Sequence, residues 1–204
     1  DITKIQKQTI AATKNLDGVS QSELEVDAHL QFIDGMSSAD IQDALIKTAV
    51  NKIDIDVPNW TFVAARLFTF DLYHRVGIAT SGSKGNPYSH ISTYLEHGKS
   101  EGKLLQNLGN GFDLEKINNA IVPDRDFLFN YLGVKTLYDR YLIKDKNGNP
   151  IELPQHMFMA VAMFLAQNED DSVKDNVAIQ FYNVISQFEV MLATPTLSNA
   201  RTYR

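Results

Sequence analysis

The stretch from Trp60 to Arg75 constrains the fold more than any other part of this sequence, because it is apolar over most of the circumference of a helix. It follows Val57-Pro58, and proline suits the first turn of a helix while disfavouring helix at the residue before it. A helix with apolar side chains on nearly every side needs other elements around it. We therefore expect this segment to be the central, most buried helix of a mostly α protein.

Further helices are predicted on both sides of this segment. Upstream, apolar spacings of three and four residues predict two helices within residues 2–33, and the capping-box pattern at 37–40 begins a third that runs to about Lys52. Downstream, helical patterns cover 88–97, 101–108, 114–120, 126–142, 155–167 and 173–192. Asn147-Gly148 favours a tight turn, with which a small β-hairpin near 141–153 is compatible. At residues 193–200 we expect the chain to leave a helix and continue as a loop or strand.

A glycine-rich segment divides the chain into two predicted lobes. Residues 77–87 contain three glycines and few large apolar side chains, which is typical of a linker. We therefore expect one domain at 1–76 and a second at 88–204. The order of Ser81 to Gly85 does not match a phosphate-binding loop, so a flexible linker is the preferred interpretation of that stretch.

Composition excludes several classes of function. None of the 204 residues is cysteine, which removes disulfides, thiolate metal sites and thiol nucleophiles. The net charge of -6 argues against nucleic-acid or anionic-membrane binding. No apolar run reaches the roughly 18 residues of a membrane span, so we expect a soluble, cytoplasmic protein. The five histidines have no compact ligand spacing, so we expect no metal site. On these grounds alone, the chain is a helical protein of unassigned purpose.

Three ordered blocks of sequence carry a family resemblance: NYLGVKTLYDRYL at 130–142, ELPQHMFM at 152–159 and ATPTLSNART at 193–202. Together they resemble the N-terminal helical region of the large (α) subunit of class I ribonucleotide reductase. Residues 1–67, including the start of the apolar helix, resemble the ATP-cone that precedes this region in the family. The resemblance covers essentially the whole chain.

The resemblance implies that the first domain is an ATP-cone, a helical bundle with a short β-lid that binds ATP or dATP to set overall activity. The lid should precede Asp1, so we expect the cone to be truncated here. The implied nucleotide contacts are Asp1, Ile2, Thr3, Lys4, Ser38 and His74. Among them, Lys4 is the implied phosphate-binding cation. Ser38 is equally interpretable as a simple N-cap. His74 stands where the family often has lysine.

At the other end, the resemblance implies that Thr194 contacts the substrate nucleotide, although a turn residue bonded to local backbone is the alternative. The family reduces the ribose 2′-carbon of nucleoside diphosphates with a cysteine thiyl radical and a redox cysteine pair. Those cysteines should follow Arg204, so we expect a part of a longer polypeptide that contains no catalytic residue. The implied partners are a second large subunit and a radical-generating small subunit that carries a di-metal cofactor.

The sequence is compatible with two other functions. The chain could be a non-catalytic nucleotide-sensing module, or it could belong to a cobalamin-dependent reductase of the same superfamily. The sensing module would bind nucleotide by itself, whereas the reductases would be distinguished by their radical-generating component.

Overall fold

A computed structural model describes residues 2–29, 32, 34–80 and 88–203 of the chain. The chain divides into two compact units. The first unit comprises residues 1–71 and 129–136, and the second comprises 72–128 and 137–204. The described residues are mostly helical, without a regular β-strand, so the predicted mostly α class is confirmed.

The first unit is built from helices near the N-terminus. It contains α1 (Ile2–Thr13), α2 (Gln21–His29), α3 (Ser38–Asn51) and the first part of α4 (Trp60–Thr80). The beginning of α7 (Tyr131–Arg140) belongs to it as well.

Buried side chains of α4 form much of the core of the first unit. Trp60 is 2% exposed, and the other fully or nearly buried side chains of this part of the helix are Val63, Ala64, Ala65, Leu67 and Phe68. Lys52 lies over the Trp60 ring, 5.3 Å from its centre, and reaches Glu23 and Asp27 of α2 at 2.5 Å each. These contacts fix α2 and the end of α3 beside the start of α4.

The second unit contains most of the remaining elements. They are α5 (Ile91–Ser100), α6 (Leu114–Asn119), a 3-10 helix (Pro123–Leu128), α8 (Pro154–Ala166), α9 (Lys174–Ser186) and α10 (Thr194–Asn199). Among the described helices α8 is the most buried, since only Phe164 and Leu165 are not fully enclosed. The expectation that α4 would hold this place is wrong, because α9, α10 and the 3-10 helix all pack around α8.

Three segments differ from the elements predicted for them. Residues 101–108 form turns rather than helix, because Gly102 adopts a φ of +66° and Leu104 pairs with Thr202 in an antiparallel bridge. The helix predicted at 126–142 is interrupted before α7, where the Asn130 side chain accepts a hydrogen bond from the Gly133 N–H at 2.8 Å. Residues 194–199 form α10, which has a proline in its first turn, so the expected loop or strand is wrong there.

The turn at Asn147-Gly148 is confirmed. Gly148 has a φ of +84°, and the Asp145 carboxylate accepts hydrogen bonds from the backbone N–H groups of Asn147 and Asn149, both at 2.8 Å. A hydrogen bond from Ile151 N to Ile143 O at 3.0 Å and one bridge, Lys144 to Pro150, replace the predicted hairpin.

The predicted linker falls only partly within the described residues. Residues 77–80 belong to α4, and 81–87 lie outside the described part of the chain. The domain limits at 76 and 88 therefore stay predictions. None of the helices in the described ranges is both long and apolar enough to span a membrane.

Candidate functional site

The interior of the second unit contains a polar cluster centred on Asp126, which is 1% exposed. Tyr73 and Tyr88 donate hydrogen bonds to Oδ2 of Asp126 at 2.7 and 2.6 Å, and Gln155 donates to Oδ1 at 2.8 Å. Tyr182 donates to the Gln155 side-chain carbonyl at 2.8 Å. This Asp126 cluster joins α4, the 3-10 helix, α8 and α9 through directional bonds.

Burial decides the ionisation of the groups in this region. Burial raises the pKa of Asp126 to about 6, although the hydrogen bonds from Tyr88, Tyr73 and Gln155 oppose the rise. Burial also lowers the pKa of His156 to about 4, so its ring is neutral near pH 7. The ring donates from Nε2 to the Ser89 carbonyl at 3.0 Å and stacks on Tyr94 at 4.7 Å between ring centres. His156 is therefore a hydrogen-bonded core histidine.

A second buried group is the ion pair of Glu152 and Arg201, whose side chains are both 0% exposed. Glu152 also accepts hydrogen bonds from the Tyr94 hydroxyl at 2.6 Å and the Ile143 N–H at 2.7 Å. Arg201 donates to Glu152 and to the backbone carbonyls of Leu197 and Tyr141. Burial by itself would lower the pKa of Arg201, because it disfavours the charged form. The attraction and hydrogen bonds of the Glu152 carboxylate exceed this effect, so the pKa of Arg201 is raised.

This ion pair holds the walls of an open pocket of about 360 Å³ in the second unit. We call it the basic pocket, because three of the described side chains that line it are cationic and none of these described side chains is acidic. It is lined by Gly102, Lys103, Arg140, Tyr141, Leu142, Ile143, Lys144, Ser198, Thr202 and Tyr203. Such a pocket can bind a small anion.

The predicted substrate contact, Thr194, is the exposed first residue of α10. Its hydroxyl lies 3.0 Å from the hydroxyl of Tyr141, and either oxygen can be the donor. Thr194 does not itself line the basic pocket, but its hydrogen-bond partner does. The hydrogen-bond partner found for the Thr194 hydroxyl is thus a side chain distant in sequence rather than local backbone, and the substrate contact stays a prediction.

The predicted nucleotide contacts occupy different parts of the chain. Thr3 and Lys4 are exposed in the first turn of α1, whereas Asp1 and the side chain of Ile2 lie outside the described residues. Ser38 is exposed at the start of α3, but the N-cap is Ser37, whose hydroxyl accepts the Asp40 N–H at 3.1 Å. The interpretation of Ser38 as N-cap is therefore wrong. His74 is exposed on the part of α4 that belongs to the second unit.

Sequence reasoning missed the Asp126 cluster and the Glu152–Arg201 pair. Both depend on pairing between residues far apart in sequence, which hydrophobic spacing does not reveal. A partial signal existed in Glu152 and Gln155, two polar residues at the entrance to the very apolar segment that forms α8. Within the described residues, no group of three or more His, Asp or Glu side chains is arranged to hold a metal ion.

Comparison with known proteins gives consistent matches. Residues 127–204 match the family described as "Ribonucleotide reductase, all-alpha domain". The chain is 62% identical over 202 residues to the ribonucleoside-diphosphate reductase subunit alpha of Helicobacter pylori, covering 99% of the chain and 25% of the relative. The chain is also similar to the protein named ribonucleoside-diphosphate reductase 1 subunit alpha in two other bacteria. It is 32% identical to that of Salmonella typhimurium and 31% identical to that of Escherichia coli, each over 99% of the chain and 26% of the relative. The chain thus spans about a quarter of the length of these relatives.

Proposed function

Because the chain belongs to the ribonucleotide reductase family of large subunits, we propose that it forms the N-terminal helical portion of a ribonucleoside-diphosphate reductase. The whole enzyme would reduce ribonucleoside diphosphates to deoxyribonucleotides for DNA synthesis. The observation that carries this proposal is the 62% identity, over 99% of the chain, to a relative named for that activity. These residues contain no cysteine, so the thiols of the reaction would come from elsewhere in the enzyme.

The structure is compatible with a supporting role for the second unit in this enzyme. The Glu152–Arg201 pair fixes the backbone carbonyl of Tyr141 through a 2.8 Å hydrogen bond, and the Tyr141 hydroxyl contacts Thr194 at 3.0 Å. A hydroxyl held from a rigid interior is suited to orient an oxygen of a bound nucleotide. We assign Thr194 the substrate contact on this basis.

The first unit would provide control by ATP and dATP. Its resemblance to an ATP-cone supports this role, and Lys4 is exposed, as a phosphate-binding cation must be. Asp1, Ile2, Thr3, Ser38 and His74 complete the proposed set of contacts. The proposed assembly is a homodimer of large subunits with a radical-generating small subunit, located in the cytoplasm.

A chimaeric enzyme tests the proposal. The segment of the Helicobacter pylori alpha subunit that aligns with this chain is replaced by residues 1–204, and the product is combined with the small subunit of that organism. We expect conversion of CDP to dCDP at a rate within about tenfold of the parent enzyme, a difference of about 1.4 kcal/mol in barrier height.

The matched comparison is the unmodified parent enzyme, and thermal melting of both proteins shows whether the exchange is tolerated. A chimaera that melts cooperatively near the parent temperature and yet makes no dCDP would refute the assignment. Nucleotide binding by the 204-residue chain together with an inactive, folded chimaera would instead support a sensing module.

A further inference from the structure

The basic pocket of the second unit is a candidate binding site separate from the residues assigned above. Of the described residues proposed to contact nucleotides, none lines it. We propose that this pocket binds a small phosphate-bearing anion, with Lys103, Arg140 and Lys144 as its cationic contacts.

Charge is the first observation behind the proposal. Lys103 follows α5, Arg140 ends α7, and Lys144 follows four residues later, so the fold brings cations from separate segments to one cavity. Among the residues that the structure describes, no carboxylate lines the pocket, although the whole chain carries a net charge of -6. Cations that line one cavity repel one another, and an anion bound between them removes that repulsion. Lys144 is also held in place, with Nζ 4.1 Å from the centre of the Tyr138 ring.

Rigidity of the walls is the second observation. The segment at Leu104 is joined to Thr202 by an antiparallel bridge, and Leu105 N donates to Arg201 O at 3.0 Å. The Arg201 side chain in turn donates to the Tyr141 carbonyl, so Arg201 ties together the three segments that line the pocket through its backbone carbonyl and its buried side chain. A site whose walls are already fixed loses little conformational entropy when it binds a ligand.

Size and donors define the ligand class. A volume of about 360 Å³ lies within the range of roughly 300–1,000 Å³ that is typical of small-molecule sites. The Tyr203 oxygen accepts a hydrogen bond from Gln106 N at 3.0 Å, which leaves its own proton available for an acceptor. Thr202 is different, since its hydroxyl proton is donated to the Ser198 carbonyl at 2.9 Å. Phosphate oxygens accept from ammonium, guanidinium and hydroxyl donors alike.

Calorimetric titration of the 204-residue chain with inorganic pyrophosphate at low ionic strength tests the site. We expect saturable binding to one site that weakens as salt is added. Lys103→Gln, Arg140→Gln and Lys144→Gln should each weaken binding by about tenfold or more, as expected for loss of one charge-assisted hydrogen bond. Lys146→Gln is the matched control, because Lys146 is an exposed lysine two positions from Lys144 that does not line the pocket. This variant should bind pyrophosphate as tightly as the unmodified chain.

Two further ligands distinguish the source of the phosphate group. ADP that binds more tightly than pyrophosphate, and loses affinity in Lys144→Gln, would identify a nucleotide ligand. Equal affinities would identify a free phosphate compound, and both results support the site. Binding of adenosine with the affinity of ADP would overturn the proposal, since no phosphate would then be recognised.

Other results would also overturn it. Absence of saturable pyrophosphate binding would do so, as would a loss of affinity in Lys146→Gln equal to that in Lys144→Gln. In the chimaeric enzyme the same Lys144→Gln dependence should persist. Its disappearance there would show that other parts of the enzyme cover the pocket, and would refute a ligand site without bearing on CDP reduction.

Discussion

Breaking the buried Glu152–Arg201 pair should destabilise the second unit strongly and in a way that depends on which partner is removed. Glu152→Leu leaves the Arg201 guanidinium enclosed without its counter-ion, and a guanidinium cannot lose its charge in a protein. Removing one partner of a buried pair costs about 3–5 kcal/mol, so we expect a loss of that size. This loss of stability should be nearly constant between roughly pH 5 and pH 8, because the stranded Arg201 guanidinium keeps its charge over that range.

Arg201→Met should behave differently, because the stranded Glu152 carboxylate can take up a proton. The folded variant would then hold a proton that the unfolded chain has released, so its stability falls as pH rises. We expect a loss of about 3–5 kcal/mol near pH 8 and a smaller loss near pH 5. The double variant, Glu152→Leu with Arg201→Met, should recover much of the loss, since no unpaired charge remains.

Urea unfolding at both pH values measures these differences. Trp60 is the only tryptophan and lies in the first unit, so its fluorescence follows that unit. Near-ultraviolet circular dichroism of tyrosine follows mainly the second unit, to which seven of the eight tyrosines belong, Tyr131 being the exception. A cost below about 1 kcal/mol for Glu152→Leu, the range of an exposed pair, would refute the reasoning.

Four further outcomes are expected. Trp60→Ala should cost about 3–5 kcal/mol in urea unfolding, since the side chain is 2% exposed, and a loss under about 1 kcal/mol would contradict its place in the core. The pKa of Asp126 is raised from 3.8 to about 6, so the stability that its protonated form contributes is complete below about pH 4 and lost as pH rises through about 6. Relative to Asp126→Asn, the unmodified chain should therefore lose about 2 kcal/mol between pH 4 and pH 7, and a constant difference between the two would disprove this. In the chimaeric enzyme, Lys4→Ala should weaken dATP inhibition with melting unchanged, whereas unaltered inhibition would remove Lys4 from the site. Thr194→Ala should raise KM for CDP by about tenfold, measured at steady state against the unmodified chimaera, and an unchanged KM would exclude the contact.

Local signals in the sequence predicted the helices of the first unit well. Ser37 and Asp40 begin α3 as the capping pattern requires, and Pro58 precedes the start of α4. Cap residues and prolines also open two helices whose starts the sequence analysis did not predict. Asn130 marks the start of α7, and Pro195 lies in the first turn of α10, in positions where cap residues and prolines commonly open helices.

The candidate site was less predictable because it depends on distant partners. Nothing near Asp126 in the sequence indicates that Tyr73, Tyr88 and Gln155 will donate to it. The cations of the basic pocket are likewise ordinary surface lysines and an arginine when each is considered alone. Their grouping follows from tertiary pairing across the second unit, which no spacing rule encodes.

The first unit is discontinuous in sequence, and this limits how the chain can be recombined. Tyr131 packs edge-on against Phe68, with 6.2 Å between ring centres, and its N–H donates to the Thr61 hydroxyl at 3.2 Å. A single crossover after residue 71 would therefore transfer α1–α3 without the 129–136 segment that completes their unit. Exchange of this unit alone between related enzymes requires that residues 1–71 and 129–136 be replaced together, because a single crossover after Thr136 would separate residues 72–128 from residues 137–204 of the second unit. Gene fusions and transfers should accordingly keep residues 1–204 together.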